Sequence, residues 1–286
     1  MNVLLTGASG FIGSHLARAL RAAEYVVIEA RRDIGAGTAA VHADFTRDLS
    51  AREWLPKLAG VDAVINAVGI LREHGGQTFE RIHKRAPQAL FTACVAAGVR
   101  RVVQISALGA DLGTTRYFVS KRAADDYLAT LPLDWTIVRP AMVFGPGGSS
   151  ARLFERLAHL PLVPLPGRGE QRIQPIHIDD LTEAVVRILG DSTTSRARIE
   201  LVGPQSLSLR ELLVSLRAAM HLTPARFLSI PMPLVRVGAH IAGVSAMSPL
   251  DSETLSMLEA GTRGDPAATR SLLGREPRPV AAATYQ

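Results

Sequence analysis

Cysteine, lysine and aromatic residues are all scarce in this chain of 286 residues: one cysteine, three lysines among 32 basic side chains, and 5% aromatics. A lone cysteine excludes a disulfide framework and a cysteine-based metal site. With Leu90, Phe91, Val95 and Ala97 around it, Cys94 reads as a core filler. No run of eighteen apolar residues occurs, so no membrane-spanning helix is expected. The net charge of +6 invites a nucleic-acid reading, but the basic residues are dispersed arginines without interleaved aromatics. That pattern suits the steering of small anionic ligands, and no nucleic-acid partner is expected. A strand beginning at residue 2 leaves no room for a leader, so a cytoplasmic location is expected. There is no internal repeat or low-complexity tract, and 47% hydrophobic residues suffice for a sizeable core in one or two domains.

What is present starts at the first residues, MNVLLTGASGFIG. Residues 2–5 are a short apolar run fit for a buried parallel strand, and Ile12, Leu16, Ala19 and Leu20 follow at helical spacing. Strand, glycine turn and helix bring a helix N-terminus to the carboxyl end of a strand, where unpaired N–H groups favour a phosphate. Gly7 permits the turn, Gly10 admits a pyrophosphate to the backbone, and Gly13 lets the helix pack on its strand. Further strands are expected at 25–30, 39–43, 61–66, 101–106 and 133–138, alternating with helices at 47–58, 79–97 and 117–130, and Pro87 falls inside the second of these. Tyr117 and Lys121 open the last helix four residues apart, on one face. With four tyrosines and three lysines, such a pair arises by chance with a probability of roughly 0.04.

Several motifs in order resemble those of the short-chain dehydrogenase/reductase superfamily. They are the TGASGFIG turn, N-A-V-G at 66–69, Y-F-V-S-K at 117–121, R-P-A-M-V-F-G-P-G at 139–147 and Q-P-I-H-I-D-D at 174–180. The likeness reaches to about Leu189 and is greatest to the extended and atypical branch. That branch holds NAD-dependent epimerase/dehydratases and proteins similar to the NAD(P)-binding accessory subunit of respiratory complex I. The resemblance implies an α/β doubly wound parallel sheet (Rossmann fold) with a smaller C-terminal α/β substrate region. Residues 1–147 and 173–192 would bind the dinucleotide; 148–172 and 193–286 would form the substrate or partner region.

Residue by residue, it implies a pyrophosphate cradle from Gly7, Ala8, Ser9, Gly10, Phe11, Ile12 and Gly13. Ala30 stands at the slot that is acidic in NAD-binding members. Arg31 and Arg32 just beyond it are candidates for the 2′-phosphate of NADP(H), while Glu29 or Asp33 keeps NAD(H) open. Asp44 would accept from the adenine amine and Phe45 would wall the ring. Ala67, Val68 and Gly69 would pass under the ribose and phosphates, and Pro140 and Val143 would lie against the nicotinamide amide. Tyr117 would be the acid/base, and Lys121 the ribose anchor whose charge lowers the phenol from its usual ~10. The family's catalytic hydroxyl falls where this chain has Leu108; Ser106, Thr114 or Thr115 is the substitute on offer.

His74 reads as a solvated loop histidine, His177 as a structural one, and Asp179 as the N-cap of a helix. Residues 161–169 read as a proline-rich crossing. An apolar helix at 234–247 suggests an apolar, quinone-like substrate or peripheral membrane contact, and the tail from 275 is expected to fray. Two functions follow: an NADP(H)-preferring oxidoreductase or epimerase/dehydratase acting on a small molecule, or a dinucleotide-binding scaffold or sensor that docks a partner.

Overall fold

Short runs of buried aliphatic residues become parallel strands covered on both faces, which is why they read as continuous hydrophobic segments rather than alternating ones. The computed structural model describes residues 1–34, 39–242, 252–261 and 263–280. The chain forms two compact units, Met1–Arg139 with Thr182–Ile199, and Pro140–Leu181 with Glu200–Gln286. The second begins before the 147/148 boundary expected from the motifs.

In chain order the first elements are β1 (Asn2–Thr6), α1 (Phe11–Ala22), β2 (Val26–Arg31), β3 (Ala40–His42), α2 (Ala51–Trp54) and β4 (Ala63–Asn66). Then come α3 (Ala86–Ala97), β5 (Arg101–Ile105), α4 (Arg116–Thr130), β6 (Asp134–Pro140), β7 (Val143–Phe144) and α5 (Ser149–His159). The remainder comprises β8 (Leu162–Pro166), β9 (Arg172–Ile173), β10 (Ile176–His177), α6 (Ile178–Gly190), β11 (Ala197–Leu201) and β12 (Leu207–Ser208). It continues with α7 (Leu209–Ala219), β13 (Arg226–Ile230), α8 (Met232–Ala242), α9 (Ser252–Ala260) and α10 (Ala267–Leu273).

Seven strands make one sheet in the order β11-β6-β5-β4-β1-β2-β3, parallel from β6 to β3. The fold is therefore the expected doubly wound, Rossmann-type α/β sheet. Strand order reverses beside β1, and ligands of such sheets bind at the carboxyl ends at that point. There Thr6, Asn66 and Gln104 share one row. Thr6 Oγ1 donates to Asn66 Oδ1 at 2.6 Å and Asn66 Nδ2 donates to Gln104 Oε1 at 2.7 Å, so these buried polar groups satisfy one another. Leu4, Val64, Val102 and Ile137 from the sheet pack with Trp54, Leu90, Phe91 and Leu128 from the helices.

Four local expectations differ from what forms. The helix expected at 47–58 starts at Ala51, because Ser50 and Glu53 close a capping box, and from Leu55 it tightens into a 3₁₀ turn containing Pro56. The helix expected at 79–97 is a π-helical turn over Glu80–Arg85 followed by α3. Pro87 has no N–H for the carbonyl of His83 and its ring crowds that carbonyl, so the preceding turn widens. The crossing at 161–169 contains a strand, β8, paired in parallel with β13. Asp179 lies inside α6 rather than at its cap: the helix starts one residue earlier, and His177 Nδ1 accepts the Asp179 N–H at 3.1 Å.

In the second unit Phe144, Phe154, Leu165, Leu212, Leu213 and Leu216 form a separate core. On β8, Gly167 just past its end donates its N–H to Ile230 of β13. Asp180, fully buried, accepts from Arg275 Nη2 at 2.7 Å and from the Arg278 N–H at 2.5 Å, which fixes the chain beyond α10 instead of leaving it frayed. The expected helix at 234–247 corresponds to α8, with Leu234 and Val237 exposed; its part beyond 242, like the tail from 281, lies outside the described residues.

Candidate functional site

The first unit carries the glycine turn. Gly7 has φ +73°, and a Cβ there would sit 2.8 Å from the Ala67 carbonyl; one on Gly13 would sit 2.0 Å from the Gly7 oxygen. Both positions demand glycine, one for its left-handed backbone and the other for helix-on-turn contact. Gly10 caps α1 without a side chain, and no acidic residue occupies the first turn, so the N–H groups there can serve an anion. Ala8 is buried under the turn, Ser9 and Gly10 are exposed, and Phe11 and Ile12 are half-buried. This cradle fits the pyrophosphate of a dinucleotide.

At the end of β2, Glu29 is buried between two arginines: Arg21 Nη2 donates to one carboxylate oxygen at 2.5 Å and Arg31 Nε donates to the other. Burial alone would raise its pKa, but these two guanidinium groups hold it below the usual carboxylate range. Glu29 thus has both oxygens engaged, whereas Arg32 and Asp33 are exposed. Asp44 accepts from the N–H and hydroxyl of Thr46 at 2.8 and 2.7 Å. Phe45 is buried edge-on against Trp54, with ring centres 5.3 Å apart. Ala67 and Val68 are half-buried and Gly69 is exposed where the chain leaves β4.

Tyr117 and Lys121 lie buried on α4, which Thr115 caps by accepting the Phe118 N–H at 3.3 Å. Lys121 Nζ donates to the carbonyls of Ile105 at 3.1 Å and Val68 at 3.5 Å, leaving one of its three protons unengaged by described residues. Burial lowers the Lys121 pKa to about 8, opposed by Asp125. The Tyr117 phenol behaves contrary to expectation: burial, aided by the negative charge of Asp125, pushes it up to about 12. Desolvation of the phenolate is the larger cause, so Tyr117 is held as an acid.

Ser106 is brought to this cluster but is engaged from below: its hydroxyl donates to Asp125 Oδ2 at 2.5 Å. Asp125 is fully buried, and burial raises its pKa to about 6 against the pull of Ser106, Lys121 and Arg139. Arg139 reaches Asp111 at 3.3 Å and Asp125 at 4.0 Å. Leu108 is buried, Thr114 is exposed and Thr115 is committed to its cap.

Sequence reasoning passed over His83, which is buried between the Gly69–Ile70 loop and α4. Its one available signal was its place four residues before Pro87. His74 is an exposed loop residue in a bridge with Gln77, and Cys94 is buried with its thiol pushed up to about 12 by burial. Among the described residues no cluster of histidine, cysteine and carboxylate side chains could hold a metal, and no helix is long and apolar enough to cross a membrane.

In the second unit Pro140 is buried and Val143 half-buried, and β7 pairs in parallel with β10. This unit also holds a cavity of about 440 Å³ lined by Leu165, Arg168, Gly169, Ser208, Arg210 and Phe227.

Comparison with known proteins bears on the family and the fold. The chain is 27% identical over 260 residues to "Ceramide reductase" of Caulobacter vibrioides, covering 86% of this chain and 79% of that one. It is 28% identical over 189 residues to "NADH dehydrogenase [ubiquinone] 1 alpha subcomplex subunit 9, mitochondrial" of Arabidopsis thaliana, covering 64% of this chain but 46% of that one. The chain thus spans about half the length of this plant relative. Among solved structures, "MoeE5 in complex with UDP-glucose and NAD" superposes with a TM-score of 0.72 at 22% identity, covering 99% and 96% of the two chains, which shows the shared fold. The model of one family, "NAD dependent epimerase/dehydratase family", matches residues 3–201, across the glycine turn, the Tyr117–Lys121 pair and the Arg139–Pro140 run, and the chain belongs to that family.

Proposed function

We propose that the protein is an NADP(H)-preferring oxidoreductase in which Tyr117 exchanges a proton with the oxygen of a small-molecule carbonyl or alcohol. The observation that carries this is the buried Tyr117–Lys121 pair, with one lysine proton left over after two backbone carbonyls are served. Bound against the glycine turn, the dinucleotide supplies hydride exchange at a substrate carbon. The chain's own work is protonic and positional. Tyr117, held protonated, is in the form that donates to an oxygen on which negative charge develops, as reduction of a carbonyl requires. Lys121 is the anchor for ribose hydroxyls. Preference for NADP(H) is supported by Glu29, whose oxygens are both spent on arginines, and by Arg31 and Arg32, which stand where a 2′-phosphate would need cations. The name of the Caulobacter relative favours an apolar substrate.

The test is titration with NADPH and NADH by nicotinamide fluorescence, on the wild type and on Arg31→Ala with Arg32→Ala. We expect NADPH to bind more tightly and the double substitution to remove the difference. Equal binding of both cofactors by the wild type would refute the preference. Turnover is then screened against apolar ketones and aldehydes, with Tyr117→Phe expected to abolish it while cofactor affinity persists.

One observation favours a second reading, a dinucleotide-binding scaffold. The Ser106 hydroxyl is spent on Asp125 and Leu108 is buried, so β5 offers no free hydroxyl to a substrate oxygen. Wild-type cofactor binding without turnover of any compound screened, and no effect of Tyr117→Phe in cells, would support it.

A further inference from the structure

His83 sits at the middle of three linked hydrogen bonds. The Ile70 N–H donates to His83 Nε2 at 3.0 Å, so that nitrogen carries no proton and Nδ1 carries it. His83 Nδ1 then donates to Ser120 Oγ at 2.9 Å, and Ser120 Oγ donates to the Tyr117 carbonyl oxygen at 2.7 Å. Both ring nitrogens and the Ser120 hydroxyl are matched, and only one tautomer allows it. The ring is also held from its sides: it stacks on Phe79 with centres 5.2 Å apart and meets the edge of Tyr117 at 5.3 Å.

The backbone that presents this ring is the π-helical turn over Glu80–Arg85. Such a turn inserts one residue into the helical register, and α-helical continuity would carry the side chain at 83 to a different azimuth. A Cβ built on Gly69 would stand 3.1 Å from Lys121 Nζ and 3.6 Å from His83 Nε2, so loop, lysine and imidazole converge on one spot. Burial and the Lys121 charge push the imidazole down to about 2, and it stays neutral beside the ammonium at any working pH.

We propose that His83 is a positioning residue: seated by the π-helical turn, it braces the loop that carries Gly69 against the first turn of α4, and so fixes Tyr117 and Lys121 relative to the dinucleotide. This rests on the reading of that pair as acid/base and ribose anchor. Neither histidine nitrogen reaches substrate in this role. The brace acts by holding the Val68 carbonyl, which Lys121 needs, on the same rigid body as the tyrosine.

Three variants of the full chain test it: His83→Phe, which keeps the stack on Phe79 and removes both hydrogen bonds; His83→Gln, whose amide restores one acceptor and one donor; and Ser120→Ala, which cuts the link at its far end. Each is measured for melting temperature, for NADPH and NADH affinity, and for the pH at which affinity is lost on the alkaline side. In the wild type that limb reports deprotonation of Lys121, near 8. We expect His83→Phe to bind about tenfold more weakly, as loss of well-placed buried hydrogen bonds implies. Its alkaline limb should move upward as water reaches the freed ammonium. Ser120→Ala should move both quantities in the same direction, and His83→Gln should recover most of the loss.

If His83→Phe does not fold, Ser120→Ala and His83→Gln decide the matter. Variants that match the wild type in affinity and limb overturn the brace. So does an affinity that falls in step with melting temperature in all three while the limb stays put, since that is the signature of mere destabilisation. If the wild type binds neither dinucleotide, the reading of the site fails and the brace with it; if it binds and the variants behave alike, only the brace fails.

Discussion

Replacing glycines of the turn by alanine, one at a time, separates packing from ligand access. At Gly13 the added Cβ meets the Gly7 oxygen at 2.0 Å and its carbonyl carbon at 2.6 Å. Van der Waals contact requires roughly 1 Å more. The obstacle is backbone on the turn itself, so α1 must shift along β1 rather than a side chain rotating away. Overpacking of this kind costs roughly 1–3 kcal/mol, and a rigid obstacle puts Gly13→Ala at the upper end. For a protein of this size the melting temperature should fall by roughly 5–10 °C. At Gly10 the Cβ meets only the Gly7 oxygen at 3.2 Å, a few tenths of an ångström too close, so Gly10→Ala should melt nearly as the wild type does. It nevertheless places a methyl group where a pyrophosphate must approach, and NADPH affinity should drop by about tenfold or more. Gly238, exposed within α8 with nothing within 4 Å of its Cβ, is the control; Gly238→Ala should raise stability by up to about 1 kcal/mol. The assay is differential scanning fluorimetry paired with nicotinamide fluorescence. A Gly13→Ala protein that melts and binds like the wild type would refute the packing of the turn, and a Gly10→Ala protein that binds normally would refute its use as a cradle.

Lys121→Met should raise the melting temperature at pH 7 while removing turnover. The folded protein lowers this lysine to about 8 from 10.5, so the unfolded chain binds the proton more readily and the wild type is penalised below about pH 8. That penalty fades as pH rises from about 8 through 10.5, so the gain should shrink over that window; a constant gain would contradict the burial argument. Asp180→Ala leaves the Arg275 guanidinium and the Arg278 N–H without their acceptor. The carboxylate is buried but the Arg275 side chain is 36% exposed and can turn to water, so the loss is about 1–3 kcal/mol. Trypsin should then cut after Arg275 in the native protein (Arg278 precedes Pro279 and is not a tryptic site), and unchanged resistance would sink the assignment.

The glycine turn and the tyrosine–lysine pair were legible because their meaning is local: three residues set a turn, and four set a helix face. The strands of the main sheet were legible for the same reason, as short runs such as VLL and VVI admit few other readings. What escaped was non-local. The role of His83 depends on a change of helical register imposed by Pro87 and on a donor 13 and an acceptor 37 residues away in sequence. The direction of the Tyr117 shift depends on how deeply α4 is buried and on Asp125 two turns along, and spacing alone favoured the lysine's charge instead. Glu29 was open to a ribose until the structure brought Arg21, from the last turn of α1, onto its free oxygen.

The prolines of β8 have a consequence for how the protein meets copies of itself. The N–H of Gly167 points toward β13, so by the two-residue alternation of a strand those of Leu165 and Val163 do too. Pro164 and Pro166 therefore face the other edge, and that edge lacks amide donors at both positions. An approaching extended segment would find acceptors without their complementary donors, and could not continue the ladder. The β8 edge of this two-stranded ribbon is thus closed to growth by sheet extension, which leaves the β13 edge, whose residues all keep their amides, as the side on which a further strand can add.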